Sequence, residues 1–131
     1  MGHKMTWLDE PWSMRVDYSE LTTVDDLEEV MSVCIPAAQK HPINFLIDFR
    51  EVEQVEPALL RSPAFLELFR QPNTKWFAMV GAKGLVRMGV ALFGRYMSAK
   101  HFNDVESALA FLEEMVAHQK QMAHSKDVQT G

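Results

Sequence analysis

Two short apolar runs stand out in the pattern of hydrophobic and polar positions along the chain. They span residues 43–49 (INFLIDF) and 76–80 (WFAMV), and each is too short to be a core helix. Each is followed by a turn and then by a stretch in which apolar residues recur at helical spacing. Continuous apolar strands that alternate with helices are typical of a sheet covered on both faces. The pattern therefore predicts an α/β fold.

The N-terminal segment predicts an antiparallel hairpin. Residues 4–8 form one predicted strand, Asp9-Glu10-Pro11 form a turn, and residues 12–18 (WSMRVDY) form a second strand. Apolar and polar residues alternate without a break in the second strand, as in a strand with one buried and one wet face. We expect this hairpin to lie near an edge of the sheet.

The rest of the chain alternates between predicted helices and strands. Thr22 or Thr23 is expected to cap a first helix, which kinks or restarts at Pro36 and ends at His41-Pro42. After the strand at 43–49 the pattern predicts an acidic loop at 50–56, a helix at 57–69, a strand at 75–80, a helix at 85–97, a strand at 99–102 and a last helix capped by Asn103 or Asp104.

This order predicts a mixed five-stranded sheet with about four helices in a single domain. The domain is expected to span residues 1–131, with an ordered core of about 4–121 and a polar tail that frays. The one cysteine, Cys34, lies in a predicted helix and is expected to be buried rather than reactive.

Composition and charge exclude several classes of protein. The chain is 47% hydrophobic, with a net charge of −5, and no uninterrupted apolar stretch reaches the ~18 residues of a membrane span. It has no apolar signal segment near its first residue, so we expect a cytoplasmic protein. Residues 68–103 contain six basic residues and no acidic one, while the rest holds seven basic and eighteen acidic residues. Basic residues at this density, on an acidic chain, argue against nucleic-acid binding.

The basic window has two interpretations that the sequence leaves open. Its charges are either the solvated edges of a β-α-β unit or a surface that meets an acidic partner, a phosphate or an anionic membrane face.

Three segments together carry a family pattern: residues 44–49 (NFLIDF), 75–81 (KWFAMVG) and 101–112 (HFNDVESALAFL). With them the chain resembles the STAS-like domains, and most closely the SpoIIAA-like group of small bacterial proteins, over about Met5–Val116. It implies a STAS-like fold and a non-enzymatic role as an interaction module in a regulator or transporter.

In the anti-sigma-antagonist type, the resemblance also implies a phosphorylated serine at the start of the helix after the central strand. Here the aspartate that ends the strand is present as Asp48, but Glu56, Pro57 and Ala58 fall where the switch serine would be. Ser62 lies too far along the helix to take that role. Glu56 would place a fixed negative charge near the helix N-terminus, where its ordinary role is a favourable dipole contact.

The loop after the second apolar run is the candidate site for a ligand or an anion. Gly81-Ala82-Lys83-Gly84 follows a buried strand and opens a helix, whose first N–H groups favour anions, and Arg87 lies one turn from Lys83. Ligands bind open α/β sheets beyond the carboxyl ends of the strands, where Asp48 and Arg50 also lie. The glycine spacing fits neither a Walker A loop nor a dinucleotide fingerprint. The candidate residues are Asp48, Arg50, Gly81, Lys83, Gly84 and Arg87.

Each part of this candidate site has an ordinary structural alternative. The glycine loop is otherwise a tight strand-to-helix turn, and Asp48 is otherwise a strand-end carboxylate that caps or turns the loop.

The predicted helix at 85–97 is apolar on nearly every side, so more than one side must be covered. Neighbouring helices, a second copy of the chain or a lipid-facing contact would each satisfy this. The candidate interface residues are Met88, Leu92, Phe93 and Tyr96.

No pattern in the chain predicts catalysis, a cofactor or a metal. The five histidines lack metal-ligand spacing, and no serine lies in a nucleophile elbow. The first hypothesis is a STAS-like protein-interaction or regulatory module without the switch serine, which binds a protein partner or forms a homodimer. The alternative is a carrier of a small apolar or lipid ligand, held in an apolar pocket with its anionic head near Lys83 and Arg87. An enzyme has no positive support.

Overall fold

A computed structural model describes residues 2–61, 63–93 and 98–130 of the chain. The side chains at 60, 61, 65, 85, 89, 90, 92, 93 and 125–130 are outside this description. The elements in chain order are β1 (His3–Asp9), β2 (Ser13–Thr22), α1 (Val24–Lys40), β3 (Ile43–Val55), a 3₁₀ helix (Pro57–Arg61), α2 (Pro63–Arg70), β4 (Thr74–Val80), α3 (Gly84–Phe93), β5 (Ala99–Phe102) and α4 (Val105–Thr130).

The five strands form one mixed sheet in the order β1-β2-β3-β4-β5. β1 pairs antiparallel with β2, and the pairs β2–β3, β3–β4 and β4–β5 are parallel. The predicted hairpin, α/β class and mixed sheet are therefore confirmed. The carboxyl ends of the four parallel strands point in the same direction. Asp48 lies within β3, opposite Val80 at the carboxyl end of β4, where the loop that carries Gly81 and Lys83 begins.

Helices cover both faces of the central strands. Phe45 of β3 lies in the larger core, against α1 and α2, while its neighbour Leu46 lies in a smaller core against α4. Both side chains are fully buried because successive residues of a strand point to opposite faces. This two-sided burial explains why the strand reads as a continuous apolar run.

The first helix begins and ends close to the predicted positions. Thr23 is its N-cap, and the reciprocal hydrogen bonds between Thr23 and Asp26 form a capping box. The helix ends at the predicted position, with His41 as the C-cap, but it continues through Pro36 to Lys40. The predicted restart at Pro36 is therefore wrong. Cys34 is buried in this helix as expected, and burial raises the pKa of its thiol to about 12.

The acidic segment at 50–56 corrects the sequence prediction. It was expected to be a loop, but β3 continues to Val55. It does so because β2 also runs on to Thr22 and pairs with it, from Ser19 opposite Glu51 to Thr22 opposite Val55. The acidic part of β3 is extended because it pairs with a strand that is distant in sequence. Its own residues therefore show no local hydrophobic pattern that would predict a strand.

Three helical boundaries also differ from the prediction. The expected helix at 57–69 is a 3₁₀ helix followed by α2, and Ser62 between them lies outside the described residues. α3 begins at Gly84, and residues 94–97 of the predicted helix also lie outside the description. The backbone of α4 is helical to Thr130, beyond the expected ordered core, and the fraying of the tail after 121 stays a prediction.

Candidate functional site at the strand ends

Asp48 of β3 is a charged residue at the end of an apolar run, and its side chain is held by Arg50. Asp48 is only 4% exposed. The backbone N–H of Arg50 donates to Asp48 Oδ1 at 2.9 Å, its Nη2 donates to Oδ2 at 2.9 Å, and its Nε lies 3.1 Å from both carboxylate oxygens. Paired N–H groups on one carboxylate are among the strongest hydrogen bonds in proteins.

A second arginine, Arg15 of β2, approaches Asp48 from the neighbouring strand. Its Nη2 donates to Asp48 Oδ2 at 3.1 Å and its Nε donates to Asp17 Oδ1 at 3.0 Å. The register places Asp17 directly opposite Asp48, so Arg15 bridges the two carboxylates. Arg15 and Asp17 are not among the site residues predicted from the sequence. The alternation of apolar and polar residues in β2 places both side chains on its polar face. It does not show which strand would lie next to β2 and bring a partner to these side chains.

The electrostatics keep Asp48 ionised. Burial alone would raise the pKa of its carboxyl, but the hydrogen bonds and charge of Arg50, together with the charge of Arg15, lower it below its ordinary value. A carboxylate in this state is a poor proton carrier near neutral pH. Asp48 therefore orients the guanidinium of Arg50, whose side chain remains 49% exposed.

Gly81 brings the loop after β4 against Arg50. Its φ of +71° is in the left-handed region, and a Cβ added there would lie 2.5 Å from Arg50 Cγ and 3.0 Å from Arg50 Cα. Only glycine fits this close approach without displacing the backbone of Arg50. The structure thus brings Asp48, Arg50 and Gly81 of the candidate set into direct contact.

The other candidates continue the same loop into α3. Lys83 and Gly84 are exposed, and Gly84 has a φ of +55° with open space where a Cβ would be. Arg87, one turn along, is also exposed, and its charge adds to burial in lowering the pKa of His101 on β5. An anion site at Lys83 and Arg87 stays a prediction.

The predicted interface includes residues of α3, which differ in their exposure. Met88 is 61% exposed, while Val86 packs against the larger core. The side chains of Leu92 and Phe93, and all of Tyr96, lie outside the described residues. The interface assigned to these four residues also stays a prediction, with Met88 as its described member.

The segment where the family resemblance would place the switch serine, residues 56–58, is bonded to the start of α1. Glu56 Oε2 accepts a hydrogen bond from the backbone N–H of Val24 at 3.1 Å, and the Glu56 N–H donates to Thr22 O at 2.9 Å. The favourable dipole contact expected of Glu56 is therefore made with the first residue of α1, rather than with the helix that follows Glu56.

A described cavity lies elsewhere, where β2, β3 and α1 begin or end. It has a volume of about 630 Å³, and its lining includes the carboxylates of Glu20, Asp25, Asp26, Glu29 and Glu53. This acidic cavity is not the apolar pocket expected beneath the third helix. Among the described residues, no group of three or more histidine, cysteine or carboxylate side chains could hold a metal ion. Nor is any helix in the described ranges long and apolar enough to cross a membrane.

Comparison with known families gives a match over most of the chain. The model of the SpoIIAA-like family matches residues 13–113. The chain belongs to the SpoIIAA-like family. This confirms the resemblance drawn from the three sequence segments. A search of curated proteins found no match.

Solved structures share the SpoIIAA-like fold at low sequence identity. A DUF3478-family protein with a SpoIIAA-like fold, from Shewanella loihica PV-4, has a TM-score of 0.63 and 20% identity over 84% of this chain and 91% of its own. The anti-sigma factor antagonist SpoIIAA in its unphosphorylated form has a TM-score of 0.61 and 10% identity, over 90% of this chain and 97% of its own. The phosphorylated form of the Bacillus cell fate determinant SpoIIAA has a TM-score of 0.59 and 8% identity, over 80% of this chain and 95% of its own.

Proposed function

We propose that this chain is a non-enzymatic regulatory module that binds a partner protein and operates without a phosphorylated switch serine. Membership of the SpoIIAA-like family supports the role in regulation. Among its structural neighbours, SpoIIAA is an anti-sigma factor antagonist that occurs in phosphorylated and unphosphorylated forms.

The observation that carries the proposal is the state of Glu56. This residue, with Pro57 and Ala58, falls where the family's switch serine would be, and none of the three has a hydroxyl group. The carboxylate of Glu56 is already bonded to the N-terminus of α1. This carboxylate is part of the side chain and links the end of β3 to α1, whereas a phosphate is added and removed. The control of this module then comes from the amount or state of its partner.

The partner-binding surface of the proposal is the basic strand-end surface, defined as Arg50, Lys83, Arg87 and Met88. The three cations are exposed. Lys83 and Arg87 lie in the segment from 68 to 103, which contains no acidic residue, whereas Arg50 is paired with Asp48. Arg50 is pre-oriented by Asp48 and Gly81, which lowers the entropy that it would lose on binding. Exposed Met88 supplies an adaptable apolar contact. Such a surface suits a partner with an acidic face around an apolar side chain.

Site-specific photo-cross-linking in the producing cells tests this function. A photoreactive amino acid is placed at Met88, and a matched one at Val33, which is also exposed but lies on α1. We expect a cross-linked protein partner at Met88 that is absent at Val33 and is lost when Lys83→Glu and Arg87→Glu are introduced. Equal cross-linking at both positions, or insensitivity to the charge changes, would contradict the proposed surface.

Native mass spectrometry of the purified chain separates the remaining alternatives. A mass of twice the chain identifies the partner as a second copy. A monomer that carries a co-purified small molecule favours the carrier instead. A monomer with the added mass of a phosphate group would contradict a module without phosphorylation.

A further inference from the structure

The two neighbours of β3 cover different lengths of it. β2 pairs with β3 from Asn44 to Val55, but β4 pairs with it only from Ile43 to Asp48, because β4 ends at Val80. The outer part of β3, residues 51–55, therefore has a strand on one side only. We call this part the open edge.

The loop after β4 closes the edge only at its beginning. A Cβ on Gly81 would lie 3.1 Å from the backbone nitrogen of Arg50, so the chain passes Arg50 closely before it turns into α3. Within the described residues, no backbone hydrogen bond joins residues 51–55 to any element other than β2. A strand edge of this kind presents unpaired N–H and C=O groups that can pair with a further strand.

The first three side chains of the open edge alternate between acidic and half-buried, while Gln54 is exposed, Val55 is half-buried, and the register with β2 shifts between Val52 and Gln54. Glu51 and Glu53 are exposed, whereas Val52 between them is half-buried against the larger core. Glu20, which also has an exposed side chain, lies opposite Val52 on β2. A strand added at this edge would therefore meet carboxylates at alternate positions and an apolar side chain between them.

These charges favour one kind of occupant. The same edge of a second copy would set glutamates against glutamates, and like charges placed across a strand pair are destabilising. Opposite charges in those positions are stabilising, so the edge suits an extended segment with alternating basic and apolar residues. Acidic side chains here thus reject self-pairing and select a basic strand.

We propose that the open edge binds an extended basic segment of a partner protein by strand addition. This inference rests on the proposed function as an interaction module. It adds a second contact with the partner, besides the basic strand-end surface, and it names the chemistry of the partner segment at that contact. The backbone of residues 51–55 provides the hydrogen bonds, and Glu51 and Glu53 provide the preference for lysine or arginine.

A synthetic peptide of alternating lysine and valine, about six residues long as in a typical strand, is the probe. Its matched control has the same sequence and charge, but the alternate amide nitrogens on one edge are methylated, which removes strand pairing. Binding is measured by NMR titration of the full chain, with hydrogen exchange of the amides at 51–55. We expect the methylated peptide to bind about tenfold more weakly or worse. Those amides at 51–55 that do not already bond to β2 should become protected only with the unmethylated peptide.

Charge-reversal variants complete the test. Glu51→Lys with Glu53→Lys is expected to weaken binding about tenfold or more. Glu113→Lys with Glu114→Lys makes the same change on the exposed face of α4 and should leave binding within about twofold, since surface charges there act only at long range. Circular dichroism confirms that each variant is folded. Equal binding of both peptides, or an equal loss of binding in both variants, would show that binding depends only on general charge attraction. Either result would overturn the proposal.

An absence of binding also overturns strand addition. It leaves the proposed function standing, because that function is tested separately by cross-linking at Met88.

Discussion

At the scale of the single residue, Asp48 shows how a charged side chain can be buried at the end of an apolar run. A carboxylate with 4% exposure is costly unless it is paired, and here two arginines from two strands bond to it. Arg50 was recognisable from the sequence because it lies two residues from Asp48. Arg15 lies 33 residues away, and its contact depends on the β2–β3 register, which no local pattern encodes.

Replacing Asp48 with asparagine tests this arrangement. The pKa of Asp48 is lowered in the folded chain, so its ionised form stabilises the fold above the ordinary carboxyl pKa of about 4, and this stabilisation is lost as pH falls through the folded value. We expect Asp48→Asn to lower the free energy of unfolding at pH 7 by about 1–3 kcal/mol and by less below pH ~4. Urea unfolding across this pH range gives the comparison.

The control for Asp48 is Asp9→Asn. Asp9 forms a surface ion pair with Lys120 at 2.8 Å, and such pairs contribute only about 0–1 kcal/mol. A loss at Asp48 no larger than that at Asp9, or one that does not shrink in acid, would show that the two arginines do not stabilise the buried carboxylate.

Gly81 and Gly84 form a second pair for comparison at this scale. Both have positive φ, but a Cβ would meet Arg50 at Gly81 and nothing within 4 Å at Gly84. We expect Gly84→Ala to lower the unfolding free energy by about 1 kcal/mol through strain alone, and Gly81→Ala by roughly 2–4 kcal/mol through strain plus overpacking. Thermal or urea unfolding measures both, and equal losses would mean that Arg50 moves away freely.

At the scale of the element, two adjacent threonines at the start of α1 have opposite roles. Thr23 Oγ1 accepts from the Asp26 N–H at 3.2 Å as the helix cap. Thr22 Oγ1 is buried and has no hydrogen-bond partner among the described residues. The sequence allowed either threonine to be the cap. The helix uses the one whose partner, Asp26, also binds His3 of β1 at 2.7 Å and so joins the helix to the sheet.

Substitution of each threonine separates these roles. Thr23→Ala removes the cap and is expected to lower the unfolding free energy by about 1 kcal/mol. Thr22→Val replaces an unpaired buried hydroxyl with a methyl group of similar size, so stability should be unchanged or rise by up to about 1 kcal/mol. Urea unfolding of both variants at one pH is sufficient, and a larger loss at Thr22 than at Thr23 would reverse the assignment of the cap.

Most elements were predictable because their signals are local. The two apolar runs, the alternating hairpin and the helix caps all depend on neighbours within a few residues. The outer half of β3 was missed because its acidic composition resembles a loop, and only the distant β2 strand makes it extended. Pro36 was expected to kink or restart the first helix, but the helix does not restart there, because the burial of Val30, Met31 and Cys34 along one stripe outweighs the lost hydrogen bond.

At the scale of the whole molecule, Asn44 joins four parts of the fold. Its fully buried side chain donates to the carbonyl of Trp12, just before β2, accepts from the Trp76 N–H of β4, and exchanges two hydrogen bonds with Gln119 of α4. In the sequence, Asn44 is only a polar residue within the apolar run at 43–49. Its partners lie 32 and 75 residues away, so its role emerges only when hairpin, sheet and last helix assemble.

A double-mutant cycle on Asn44 and Gln119 measures this long-range coupling. The two amides bond reciprocally at 2.8 and 3.0 Å, so Gln119→Ala removes two of the four hydrogen bonds of the buried Asn44, and Asn44→Ala removes both of these bonds from the half-buried Gln119. We expect a coupling free energy of about 1–2 kcal/mol from urea unfolding of the single and double variants. Gln54→Ala, at the far end of β3, gives the control cycle and should couple to Asn44→Ala by less than about 0.5 kcal/mol. Equal coupling in both cycles would mean that α4 docks through its apolar stripe alone, with the amide pair adding nothing to its attachment.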